Sequence, residues 1–96
     1  MSAYAWKITY DHLKGKAVSI YGPADIAEPD RRELDADPAS LSKFRLYDAD
    51  GELYYSGTFI GDSESEEGFG PLDDYGKPAA GTTEIRYLRN GKWEQL

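Results

Sequence analysis

Apolar and polar residues alternate in several short runs, and turn-forming residues separate them. Residues 4–10 place Tyr4, Trp6, Ile8 and Tyr10 on one side of an extended chain and Ala5, Lys7 and Thr9 on the other. Neighbouring side chains of a strand point to opposite faces, so this run predicts a half-buried strand with an aromatic face. A turn over 12–16 follows, where Gly15 is suited to positive φ, then a second short strand over 17–21 that Gly22-Pro23 ends. Residues 42–61 predict a hairpin about the turn Asp48-Ala49-Asp50-Gly51. Phe44 and Leu46 share one face of its first arm, with Arg45 and Tyr47 opposite. On its second arm Leu53, Tyr55 and Phe59 share a face, with Tyr54, Ser56, Thr58 and Ile60 opposite. Gly57 marks a bulge or a close backbone approach. The last residues form the clearest hairpin, because Asn90-Gly91 is the preferred pair for a two-residue type I′ turn. That turn sets the register Arg89–Lys92, Leu88–Trp93, Tyr87–Glu94 and Ile85–Leu96.

These runs predict a mainly β protein with about six antiparallel strands. They would form three hairpins in one curled sheet or small barrel, with short helical turns in the connections; an α+β arrangement is the alternative. The 96 residues amount to one domain. Pro23, Pro29 and Pro38 exclude a long helix from the second connection, and short turns are expected near 30–35 or 39–43, with Asp37-Pro38 as a helix start.

Residues 68–78, GFGPLDDYGKP, have the composition of a loop yet carry Phe69, Leu72 and Tyr75. Their three-residue spacing suits helical or 3₁₀ turns, opened by Pro71 and closed by Gly76. Both sides of the central hairpin carry aromatics, and Tyr47, Tyr54 and Ile60 need a cover. The expectation is that this segment packs down as a lid over that second face.

Charge sharpens the picture. The net charge is −7, of which residues 23–40 carry −4 and residues 61–80 carry −5, leaving the remainder at +2. With no basic cluster visible along the chain, direct binding to nucleic acid or to an anionic membrane is not expected. There is no cysteine, no apolar run near the roughly 20 residues of a membrane span, and no signal-peptide pattern in MSAYAWKITYDHL. A cytoplasmic setting is therefore expected.

Catalytic and metal-binding patterns are weak. DADGE begins like a calcium loop, but Gly51 comes too early and the twelfth position is Phe59, so an ordinary turn is favoured. His12 is the single histidine, expected at the rim of the fold rather than in a zinc site or triad. GFG lacks the residues of a phosphate loop. Asp62, Glu64, Glu66 and Glu67 lie in the polar run DSESEE and are expected to be solvated, whereas Asp73 and Asp74 are flanked by Leu72 and Tyr75, which could desolvate them. No catalytic residue, metal or cofactor is expected.

The motifs WKITYDH, FRLYDADGELYYSG, FGPLDDYG and GTTEIRY together resemble a family of small uncharacterised proteins from actinobacteria, often carried on plasmids and phage-like elements. The resemblance covers most of the chain outside 22–42. It implies no catalytic residue, cofactor or partner; the mobile-element setting implies an accessory or inhibitory role.

The resulting expectation is a non-catalytic binding module whose contact with a basic protein is made by Phe69, Asp73, Asp74 and Tyr75. An acidic nucleic-acid mimic, a small hydrolase or isomerase using Asp73 or Asp74, and a self-associating domain such as a homodimer are the alternatives.

Overall fold

The structure, a computed structural model, describes residues 4–36 and 41–96. Six strands form one antiparallel sheet: β1 (Ala5–Asp11), β2 (Lys16–Gly22), β3 (Ser42–Tyr47), β4 (Leu53–Ile60), β5 (Glu84–Arg89) and β6 (Lys92–Gln95). Their order is β2-β1-β4-β3-β5-β6, so the sheet is open, with β2 and β6 at its edges, and is not closed into a barrel. Helix α1 (Glu28–Ala36) occupies the second connection. The fourth holds a 3₁₀ turn (Glu66–Phe69), a π turn (Leu72–Gly76) and α2 (Lys77–Ala80). The expected helix start at Asp37-Pro38 lies outside the described residues.

The three hairpins follow the turn chemistry. Asn90 and Gly91 both have positive φ, 52° and 78°, as a type I′ turn requires. The pairs Arg89–Lys92, Leu88–Trp93 and Tyr87–Glu94 form in the expected register, and the Leu96 amide bonds the Ile85 carbonyl. In the central hairpin the Asp48 carboxylate accepts the amides of Asp50 and Glu52, which makes DADGE a turn closed by side-chain bonds. Gly57 is a close approach: a Cβ there would lie 2.1 Å from the Lys7 carbonyl and 2.6 Å from the Phe44 ring.

The core lies on one face of the sheet, where Trp6, Ile8, Phe44, Leu46, Tyr55, Phe59, Ile85 and Tyr87 pack together beneath Leu72. Two bulges alter the simple alternation. One falls between Ile8 and Tyr10 and carries Tyr10 off the aromatic face, leaving it exposed; the buried position beyond it is Asp11, whose carboxylate caps the Leu13 and Lys14 amides. The other falls between Leu46 and Tyr47, so Tyr47 faces Leu53 and Tyr54 has no partner across the ladder.

The lid expectation holds for Leu72 and Tyr75 but on the other side of the sheet. The 61–80 segment covers the main core face, where Leu72 is buried and Tyr75 packs on Trp6 and Tyr55. Phe69 is 36% exposed and is not an anchor; buried Pro71 takes that place. The segment runs through Gly76, which stays helical at φ −60°, and ends at Gly81, left-handed at φ 70°. Part of the second face, over β1 and β4, is covered instead by α1, which buries Leu34. Among the described residues, no helix is long and apolar enough to cross a membrane.

Candidate functional site

The expected site residues are close in sequence, but the fold gives them different work. Asp74 is gripped by the sheet. The Tyr4 hydroxyl donates to its Oδ2 over 2.7 Å, and the indole Nε1–H of Trp6 donates to the same oxygen over 3.1 Å. Hydrogen bonds to an ionised acceptor are the stronger kind, and Trp6 itself is buried. Oδ1 takes neither bond. Asp73 instead pairs with Lys77 one turn on, over 2.9 Å, with both side chains more than half exposed. Phe69 stands on the outer side of the 3₁₀ turn and belongs to no buried cluster.

Two glycines make the Asp74 grip possible. A Cβ on Gly70 would lie 2.4 Å from the Tyr4 ring, so only glycine lets that ring pass to reach the carboxylate. A Cβ on Gly22 would lie 2.1 Å from the Trp6 ring, its cross-strand neighbour. The indole therefore lies over bare backbone, where Tyr75 meets it with ring centroids 5.7 Å apart.

These groups border a groove of about 590 Å³ between the first hairpin and the lid. Trp6, Ile20 and Tyr21 form one wall, the Gly22–Asp25 turn with its cis Gly22-Pro23 bond forms the end, and Asp74 and Tyr75 form the other wall. The groove thus combines aromatic rings with carboxylates. Burial, followed by the bond to Asp74, pushes the Tyr4 hydroxyl well above the usual tyrosine range, so it remains a donor at neutral pH.

Asp73 and Asp74 are both exposed, whereas a carboxylic general acid or base is tuned by a desolvated setting. His12 is exposed, as expected at a rim, and its Nε2 lies 2.7 Å from the Ser56 Oγ. Among the described residues, no group of three metal-ligating side chains converges.

The outer face of the sheet beyond α1 is different in character and was not anticipated. Lys43, Arg45 and Arg86 lie on it together. Arg45 and Arg86 are direct cross-strand neighbours, and each guanidinium stacks on a ring: Arg45 on Trp93 at 4.1 Å and Arg86 on Tyr47 at 4.4 Å. The charge total hid this cluster because its members come from two strands. The alternation in SKFRLY, with cations at positions two apart, was the available signal.

No family model, curated protein or solved structure matches the chain.

Proposed function

We propose that this protein is a non-catalytic binding module whose acidic, aromatic groove receives a cationic side chain of a partner protein. One observation carries the reading. Asp74 is held in place by Tyr4 and Trp6 with Oδ1 outside both bonds, beside the Trp6 and Tyr75 rings that border the same groove. A lysine or arginine entering there would meet aromatic surface and a positioned carboxylate together, the combination that favours a desolvated cation. Pre-positioning the acid lowers the ordering cost of binding. In this reading Asp74 and Tyr75 are the contact residues, and Phe69 and Asp73 belong to the rim.

The nucleic-acid mimic is less well supported. A mimic needs one continuous array of acids, whereas α1 and the lid pack on opposite faces of the sheet: Asp35 of α1 meets Lys7 and Tyr21, while Asp74 of the lid meets Tyr4 and Trp6.

The test is calorimetric titration with short peptides rich in arginine or lysine, alongside neutral peptides of the same length. Binding of the cationic peptides alone, weakened about tenfold by Asp74→Asn, equivalent to about 1.4 kcal/mol, is expected. Asparagine keeps an acceptor for Tyr4 and Trp6, so a folded variant separates loss of charge from loss of structure. Equal binding of neutral and cationic peptides, or no effect of Asp74→Asn, would overturn the reading.

A further inference from the structure

The outer face holds a second concavity, of about 360 Å³, on the side of the sheet opposite the lid. Its wall is made by Thr9, Lys43, Arg45, Ser56, Thr58 and Trp93, and its floor by the backbone of Phe44 and Gly57, the Phe44 ring being buried on the other face. The register explains the assembly: Lys43 faces Thr58 and Arg45 faces Ser56 across the β3–β4 ladder, so each cation stands beside a hydroxyl.

Three features of this basin call for an anion. First, two cations line it while the protein as a whole carries −7. Lys43 makes no ion pair among the described residues, and Arg45 makes only its stacking contact with Trp93. Second, Arg45 sits directly opposite Arg86, a like-charge pairing that weakens a sheet unless something else compensates. Glu84 serves Arg86 alone. Third, Thr58 is 5% exposed, yet its Oγ1 finds no hydrogen-bond partner. A buried hydroxyl without a partner is costly, and Thr58 is one of the residues lining the basin. The volume lies within the range of small-molecule pockets.

We propose that this basin is a binding site for a small organic anion. Lys43 and Arg45 hold its carboxylate or phosphate, the Thr58 hydroxyl donates to the same oxyanion, and its apolar or aromatic body lies against Trp93. The site is independent of the acidic groove, which opens between the lid and the first hairpin.

His12 supplies an internal reporter. Its Nε2 contacts Ser56 of the lining, and partial desolvation of the otherwise exposed ring, followed by the nearby Arg45 cation, holds the imidazole below the usual histidine range. Asp11 acts in the opposite sense, and among the described residues no other charged group contributes to the shift. An anion seated on Arg45 would offset that cation and raise the His12 pKa. The chain has one histidine, so the resonance is unambiguous.

The experiment is an NMR titration of the full chain with inorganic phosphate, phenyl phosphate and benzoate. Saturable shifts at residues 43–45, 56–58 and the Trp93 indole, with Kd below about 10 mM for at least one organic probe, are expected. The His12 pKa should rise on saturation. Whichever of phenyl phosphate and benzoate binds more tightly assigns the oxyanion. Lys43→Gln with Arg45→Gln should weaken binding at least about tenfold, and Thr58→Val by about three- to tenfold, with the remaining amide spectrum unchanged. Shifts that do not saturate, that survive in the Lys43/Arg45 variant, or that fall on Trp6 and Tyr75 would overturn the proposal. Inorganic phosphate binding as tightly as phenyl phosphate would remove the role of Trp93. A short oligonucleotide binding far more tightly than phenyl phosphate would replace the small ligand with a polymer.

Discussion

Asp73 and Asp74 are adjacent and chemically identical, and the structure predicts very different consequences for replacing them. Asp74→Ala removes the acceptor of two hydrogen bonds, from the Tyr4 hydroxyl and the Trp6 indole. Trp6 is 3% exposed, so its N–H has little access to water once the carboxylate is gone. Leaving such a donor unpaired costs about 1–3 kcal/mol. Tyr4 is only half-buried and rebinds water, so its loss adds about 0.5–1 kcal/mol. The expected destabilisation is about 1.5–4 kcal/mol, which in a domain of this size lowers Tm by about 6–30 °C. Asp73→Ala breaks one solvent-exposed pair with Lys77, worth about 0.3–0.5 kcal/mol. Asp74→Asn keeps an acceptor and should cost about 1 kcal/mol or less. Urea unfolding followed by tryptophan fluorescence measures all three, with unchanged m-values checking that the transition stays two-state. Equal effects of Asp73→Ala and Asp74→Ala, or a loss below about 0.5 kcal/mol for Asp74→Ala, would refute the claim that Tyr4 and Trp6 grip Asp74.

Gly70→Ala should force the Tyr4 ring off Asp74, because the new Cβ would stand 2.4 Å from that ring; a cost of about 1–3 kcal/mol is expected, and no added penalty when Asp74→Ala is already present. Leu34→Ala should cost about 3 kcal/mol and raise amide exchange in α1 first, since Leu34 is the buried residue of that helix; uniform exchange across the sheet would contradict this. Burial pushes Tyr55 up to about 12, and Tyr4 and Tyr87 are also raised. The unfolded chain releases these protons near pH 10 while the folded chain keeps them, so stability is fully present below about pH 10 and falls as pH rises toward about 12. A stability that stays flat between pH 9 and pH 12 in urea titrations would count against these tyrosines being buried in their neutral form.

Much of the architecture was legible along the chain, because hairpins are local. Asn90-Gly91 sets its own turn and register, and Asp48 closes its turn with bonds to residues two and four positions on. Alternation identified Trp6, Ile8, Phe44, Leu46, Tyr55 and Phe59 as inward-facing. It failed at Tyr10 and Tyr54, where bulges shift the register and composition carries no sign of them. The candidate site was legible only as a stretch of residues. That the lid would fold down with Leu72 and Tyr75 as anchors follows from their apolar character; that Phe69 would stay outside, with Pro71 buried in its place, does not.

The sequence by itself determined the strands, their three hairpin turns, the bounded length of α1 and the concentration of net negative charge in two connections, because each depends on neighbours within a few residues. Only the tertiary structure decided which face each connection covers, since both faces of the sheet offered apolar and aromatic groups. It alone separated Asp74 from Asp73, because the partners that distinguish them, Tyr4 and Trp6, are about 70 residues away along the chain. It alone brought Lys43, Arg45 and Arg86 onto one surface. Alternation assigns a residue to a side of its own strand, whereas the order β1-β4-β3-β5, set by burial of the shared core, decides which strands' sides become one face.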